Sequence, residues 1–349
     1  MSKNIFQNTI NKNNTLRPPV WFMRQAGRYH QHYQNLKQNY SFIDICKKPD
    51  ISCEAAMGPI RDFDFDAAIL FSDILFPLEV MGMGLEYSPG PKLSWHLRSN
   101  DQLSQLKTGS TSINALSFQA DAIELLRQNL PTEKGLIGFV GGPFTLYCYA
   151  VEGSHKGKLD HAITGLTNGL FDGFSEKLNP LLIKNMIIQA NAGADCIAIL
   201  DTCAGDASIE LYKNVITPQL NQVICEFKKQ CPNIPVVYYS KNTTEDYWSH
   251  LVNLQIDCIG VDWNVDICDV LKKFGDRWSI QGNFNPHDLL LDTKTFKDKL
   301  ENYFSSVLSL NQKQRQGWIC GLGHGILPKT PENHVRHFIS RQRELFSNV

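Results

Sequence analysis

The chain has 349 residues, 42% of them apolar and 20% charged, an ordinary globular composition with ample length for a buried core. A formal net charge of −1 provides no global field to draw in nucleic acid or an anionic membrane surface, so neither partner is expected. Any polyanionic ligand must therefore meet basic residues gathered locally.

In chain order, residues 1–16 are polar and Asn-rich and are expected to form a flexible tail, too polar for a signal or an anchor. The remainder, 17–349, is expected to be one catalytic domain, because neither a composition break nor a linker divides it. Short apolar runs rich in β-branched residues recur at 20–23, 67–71, 136–140, 196–200, 236–239, 256–261, 278–280 and 318–320. Segments of helical spacing lie between most of them, such as 181–192 and 215–229. Near-continuous apolar runs suit strands buried on both faces. Eight of them alternating with helices predict an α/β fold, a single (β/α)8 TIM barrel, with a doubly wound open sheet as the alternative.

Ten cysteines are present, none spaced as C-x-x-C, and no His-x-Cys or H-E-x-x-H occurs, so no metal site is expected. Unpaired spacing and the lack of a signal peptide point to reduced thiols and a cytoplasmic location. No apolar stretch reaches the roughly 18 residues of a membrane span.

Polar, Gly-rich and ionisable residues follow each run: MRQAGR at 23–28, SD at 72–73, GGPFT at 141–145, DT at 201–202, SKN at 240–242, DW at 262–263, QGN at 281–283 and GLGHG at 321–325. In a parallel barrel these ends share one face, where active sites are built from several loops. Arg24 and Arg28 offer two planar guanidinium groups, each able to grip a carboxylate with paired hydrogen bonds. Gly27 between them allows close backbone approach or a positive φ. Asp73 ends a strand of Ala, Ile, Leu and Phe, and is a candidate either for a buried functional carboxylate or for a helix N-cap before Ile74-Leu75.

The first of these segments, with its lead-in, matches the P-x-W-x-M-R-Q-A-G-R-Y pattern of uroporphyrinogen decarboxylases, and the chain resembles that family from residue 18 to about 331. Further matches follow in the family's order. They are Ala68-Ile69-Leu70-Phe71-Ser72-Asp73-Ile74-Leu75, Gly138-Phe139-Val140-Gly141-Gly142-Pro143-Phe144-Thr145-Leu146, Gly260-Val261-Asp262-Trp263, Gln281-Gly282-Asn283 and Gly321-Leu322-Gly323-His324-Gly325. The resemblance implies a barrel, usually a homodimer, that converts uroporphyrinogen III to coproporphyrinogen III by removing four acetate carboxyl groups. It implies no cofactor and no metal, since a protonated pyrrole can serve as its own electron sink.

By the same resemblance, the substrate contacts are expected along Arg24, Gln25, Ala26, Gly27 and Arg28, and at Asp73, Tyr149, Thr202 and His324. Asp73 is the expected electrostatic partner of the pyrrole N–H groups, and Arg24, Tyr149 and His324 are the other expected catalytic residues. Thr202 stands where the family commonly has serine. His324 is a candidate carboxylate partner or proton relay, and Tyr149 a candidate for meeting a reacting acetate. Three departures from the pattern stand out: His30-Gln31-His32-Tyr33-Gln34 after the first motif, with Lys37 as the nearest further cation; Asp64 in place of a proline; and Asn242 in place of a glycine. The altered 30–37 segment bears on affinity. Two other readings are a corrinoid-linked methyltransferase on the same fold, which would need a thiolate-rich zinc site, and a silent tetrapyrrole binder.

Overall fold

The apolar runs do become the walls of a barrel. The computed structural model describes residues 4–13, 17–88, 90–154 and 157–347. Strands β1 (Ala67–Ile69), β4 (Gly135–Gly141), β5 (Cys196–Asp201), β6 (Val236–Ser240), β7 (Cys258–Gly260), β8 (Ser279–Phe284) and β9 (Trp318–Leu322) form one parallel sheet in that order. Nearly every residue in them is buried, as continuous apolar runs between two layers require. β8 and β9 run beyond their expected ends, so Gln281-Gly282-Asn283 lies within the sheet rather than in a loop after it.

The first expected strand, at 20–23, shrinks to a single parallel bridge between Val20 and Cys320. It still closes the ring. Cys320 N donates to Pro19 O, Trp21 N donates to Cys320 O, and on the other edge Asp66 N donates to Val20 O. An antiparallel hairpin that the apolar pattern did not announce, β2 (Leu85–Tyr87) with β3 (Pro91–Leu93), projects from the segment after β1.

One device recurs at the amino ends of the strands. Asp66, Asp195 and Asp257 each stand just before a strand and accept a backbone N–H from the neighbouring stave, Val20 at 2.7 Å, Leu136 at 2.8 Å and Val236 at 2.8 Å. Each carboxylate is also held by a cation: Arg17, Arg127 and Lys228 respectively. The Arg17–Asp66 pair is bidentate, with both bonds at 2.7 Å.

The outer helices bury one stripe each. In Thr293–Leu308, Phe296, Leu300, Phe304 and Val307 fall on one face at spacings near a full turn, and Asp292 caps the amino end through Lys294 N and Thr295 N. Among the described residues no helix is long and apolar enough to cross a membrane. All ten cysteines are unpaired, and all but Cys225 are buried.

The expected flexible tail needs correction. Residues 1–3 and 14–16 lie outside the described residues, but Ile5–Ile10 is a helix capped by Asn4, whose side chain also donates to Asp195 at 2.9 Å. Phe6, Thr9 and Ile10, spaced i, i+3 and i+4, form its buried face, and Ser279 Oγ donates to the carbonyls of Thr9 and Ile10. Polar composition had masked a short amphipathic stripe that closes the amino end of the barrel.

Two of the sequence departures have local causes. Asp64 takes a left-handed conformation, φ 58°, at the end of the helix Pro49–Phe63, which a proline ring fixed near −65° cannot adopt. Its carboxylate pairs with Lys134 and Arg343. The 30–37 segment lies largely in a helix, Gln31–Asn39, packed on Pro49–Phe63; His30 is buried with Nε2 2.7 Å from Asp62, and Lys37 is exposed. The segment meets the Arg24–Arg28 loop through its backbone, with Gln34 donating to the carbonyl of Arg28.

Candidate active site

The loop that follows the bridge at Val20 turns sharply because Arg24 is left-handed, φ 62°. Gln25 is buried, and its amide faces the wall instead of the mouth: Nε2 donates to Ala67 O at 2.9 Å. Its own carbonyl accepts from the Tyr29 hydroxyl at 2.8 Å. Ala26 and Gly27 are half-buried, and a side chain on Gly27 would press on the Arg24 carbonyl at 2.9 Å. Close approach, not positive φ, is thus the reason for that glycine. Arg24 and Arg28 are left exposed by this scaffold. Arg17, Arg61, Arg98, Arg127, Arg336, Arg341 and Arg343 each pair with a carboxylate, whereas among the described residues Arg24 and Arg28 pair with none. The same holds for Arg277, which donates to backbone carbonyls, and Arg315, which lies over the Phe346 ring.

Asp73 follows β1 and is only half-covered, opening toward the mouth although protein surrounds its carboxyl. It is not a helix N-cap: the next helical turn, Phe76–Leu78, begins after Leu75. Its Oδ1 accepts from Leu75 N at 2.9 Å. Burial pushes the Asp73 carboxyl above the usual aspartate range, against the opposing pull of the Leu75 amide, the Tyr87 hydroxyl and the Arg24 guanidinium. Tyr87 comes from the hairpin, which the sequence reading missed; burial and the Asp73 charge together push its phenol up.

Tyr149 lies on the helix Pro143–Glu152, which starts with Pro143 as the turn sequence predicts. Burial, then the negative charge of Asp73, raise its phenol, while Arg24 opposes them. Asp73, Arg24 and Tyr149 are therefore close enough to share one electrostatic environment. The helix is anchored by Asp201, fully buried at the end of β5, whose Oδ1 accepts from Thr145 N at 2.9 Å and Thr145 Oγ1 at 2.7 Å. A side chain on Gly142 would strike that carboxylate at 2.3 Å. Thr202 follows directly and is half-buried.

His324 lies in the turn after β9, half-buried, with Nδ1 3.0 Å from the hydroxyl of Tyr239 at the end of β6. Arg24 joins it there: a side chain on Gly325 would meet Arg24 Cδ at 2.4 Å. Tyr239 went unnoticed in the sequence, although hydroxyl-bearing tyrosines inside an apolar run signal a buried partner. Lys241, just beyond, sits over the Trp263 ring at 5.7 Å. Among the described residues no three His, Cys, Asp or Glu side chains are gathered as a metal-binding group.

A β/α barrel with the Arg24 guanidinium acting on a partly covered carboxylate, Asp73, and with Tyr149 and His324 reached by the same neighbourhood, defines a candidate enzyme site at the carboxyl ends of the strands. The family model for uroporphyrinogen decarboxylase (URO-D) matches residues 1–345. A uroporphyrinogen decarboxylase from Legionella pneumophila is 33% identical, covering 99% of this chain and 97% of the relative, and one from Coxiella burnetii is 36% identical over 91% and 88%. The chain belongs to the uroporphyrinogen decarboxylase family. A methyltransferase from Methanosarcina mazei superposes with a TM-score of 0.79 over 99% of both chains at 15% identity, a likeness of fold alone.

Proposed function

We propose that this mouth binds uroporphyrinogen III and removes the carboxyl groups of its four acetate side chains, giving coproporphyrinogen III. The observation that carries the reading is the buried Asp73 carboxyl under the influence of Arg24, on a loop that leaves Arg24 and Arg28 exposed and in no ion pair among the described residues. Direct loss of CO2 from a pyrrole acetate would leave an unstabilised carbanion. Protonating the ring first creates a cation that accepts the electron pair from the breaking C–C bond. CO2 departs, the resulting methylene is protonated to a methyl group, and the ring proton is returned. The substrate is its own electron sink, so the reading calls for no cofactor.

Asp73 acts as the fixed negative charge facing pyrrole N–H groups, which only donate to a carboxylate that only accepts. Arg24 and Arg28 grip substrate carboxylates, and Gln25, Ala26 and Gly27 hold that loop in shape. Tyr149 meets a reacting acetate from the helix that Asp201 anchors, and Thr202 lines the same rim. His324 faces a substrate carboxylate from the opposite loop. The protein acts in the cytoplasm as a homodimer, an assembly that sedimentation would report as twice the chain mass.

The decisive test is anaerobic incubation of purified, metal-stripped protein with uroporphyrinogen III, followed by oxidation and separation of products by carboxylate number. A ladder from eight carboxylates down to four supports the reading; substrate that is bound but unchanged would favour a silent binder. Arg28→Ala should raise KM roughly tenfold to a hundredfold, the scale of a lost charged hydrogen bond of about 1.5–3 kcal/mol, with a smaller effect on kcat. An unchanged KM would remove Arg28 from the site.

A further inference from the structure

The hydroxyl of Tyr239 makes two contacts, 3.0 Å to His324 Nδ1 and 2.9 Å to the carbonyl oxygen of Gly323. The two rings lie nearly parallel, 14° apart, with centroids separated by 5.7 Å. Tyr239 is 2% exposed, so water offers its hydroxyl little competition. A phenol has one proton to donate, and a carbonyl oxygen can only accept. Both contacts are hydrogen bonds only when Tyr239 donates to Gly323 and accepts from His324, which requires a proton on Nδ1. We infer that Tyr239 is a positioning residue that fixes His324 in the Nδ1–H tautomer, so that the ring can donate from Nε2 only as an imidazolium. The inference rests on the reading of His324 as a substrate-facing group.

The consequence for binding follows from the chemistry of the partners. A carboxylate accepts hydrogen bonds and never donates them at neutral pH. A neutral ring held as Nδ1–H turns an Nε2 lone pair toward such a group, whereas the charged ring offers an N–H and a positive charge. Carboxylate binding at this position therefore takes up a proton, and it weakens as pH rises through the imidazole pKa. Among the described residues, three charged or titratable groups are seen to pack around the turn. Tyr239 comes from β6, and Arg24 crosses Gly325. Asp262 follows β7, with its backbone 2.9 Å from where a Gly323 side chain would stand. Burial, then Asp262, raise the Tyr239 phenol while Arg24 opposes them, so the hydroxyl keeps its proton over the assay range.

Tyr239→Phe retains the ring and removes only the hydroxyl. In the unliganded parent protein, ¹⁵N spectra of the imidazoles, with His324 assigned by its loss in His324→Gln, should show Nδ1 protonated and Nε2 bearing the lone pair above the ring's pKa. Tyr239→Phe should shift His324 toward the Nε2–H form. In turnover assays the parent KM should climb by about tenfold per pH unit above that pKa, the slope of one linked proton, and Tyr239→Phe should flatten the climb to below threefold. An Nε2–H ring in the parent protein overturns the assignment outright, whether or not the variant folds. An Nδ1–H ring with a KM that stays flat overturns the proton-gated binding and with it the carboxylate role of His324, while the decarboxylase reading answers separately to the product ladder.

Discussion

Asp73→Asn is expected to leave the barrel folded and to lower turnover by a factor on the order of 10² or more, the scale for losing a preorganised electrostatic group. The asparagine oxygen can still accept from Leu75 N, so the turn that Asp73 builds at 2.9 Å survives. What disappears is the negative charge that would balance a cationic pyrrole. The loss should appear in kcat measured by CO2 release, with circular dichroism unchanged. Turnover within threefold of the parent would leave Asp73 as a turn residue only. Because burial raises this carboxyl, ionising it costs folding free energy. That penalty is absent below the ordinary aspartate pKa and grows as pH climbs from there to the raised value. Asparagine never ionises, so the variant should be at least as stable as the parent at neutral pH. With ionised Asp73 as the active form, as proposed, the same shift should move the acid limb of the parent's activity above the usual aspartate range.

Asp66→Ala is expected to destabilise the protein by about 3–5 kcal/mol, the cost of removing one member of a buried ion pair. Asp66 is 3% exposed at its side chain, against 19% for Asp195 and 38% for Asp257, so water can replace it least. Its loss frees the Arg17 guanidinium and the Val20 N–H together, at the one stave held by a single bridge. Denaturant unfolding followed by tryptophan fluorescence should report the change. Asp257→Ala serves as the comparison, with a smaller expected loss. Equal losses in the two variants would show that the seam has no special weakness.

How far the sequence was legible depended on whether one segment carried its own signal. Seven apolar runs became strands because burial on both faces imposes a local and continuous pattern. The run at 20–23 carries the same pattern, yet only Val20 bridges, since the chain must turn at Arg24 to reach over the mouth. Arg24, Asp73, Tyr149 and His324 were readable as strand-end residues from motif order, and the fold brings them to one face. Gln25 was readable as a neighbour but not as a wall-facing amide, because the partner that decides its direction, Ala67, is 42 residues away. Tyr239 and Tyr87 were missed for the same reason: each is defined by a partner from a distant loop. The helix Ile5–Ile10 failed differently, its three-residue stripe being too short to stand out against asparagines.

If Arg24 grips the substrate as proposed, its left-handed backbone sets stability and activity against each other at a single codon. A residue with a Cβ in that region costs about 1–2 kcal/mol, and glycine would relieve it. A selection for heat resistance alone would thus favour glycine at position 24 and discard the guanidinium with it. On the proposed role of Arg24, laboratory evolution of a hardier catalyst from this scaffold has to screen turnover at every round, because the more robust protein at this position would be the one without its grip on the substrate.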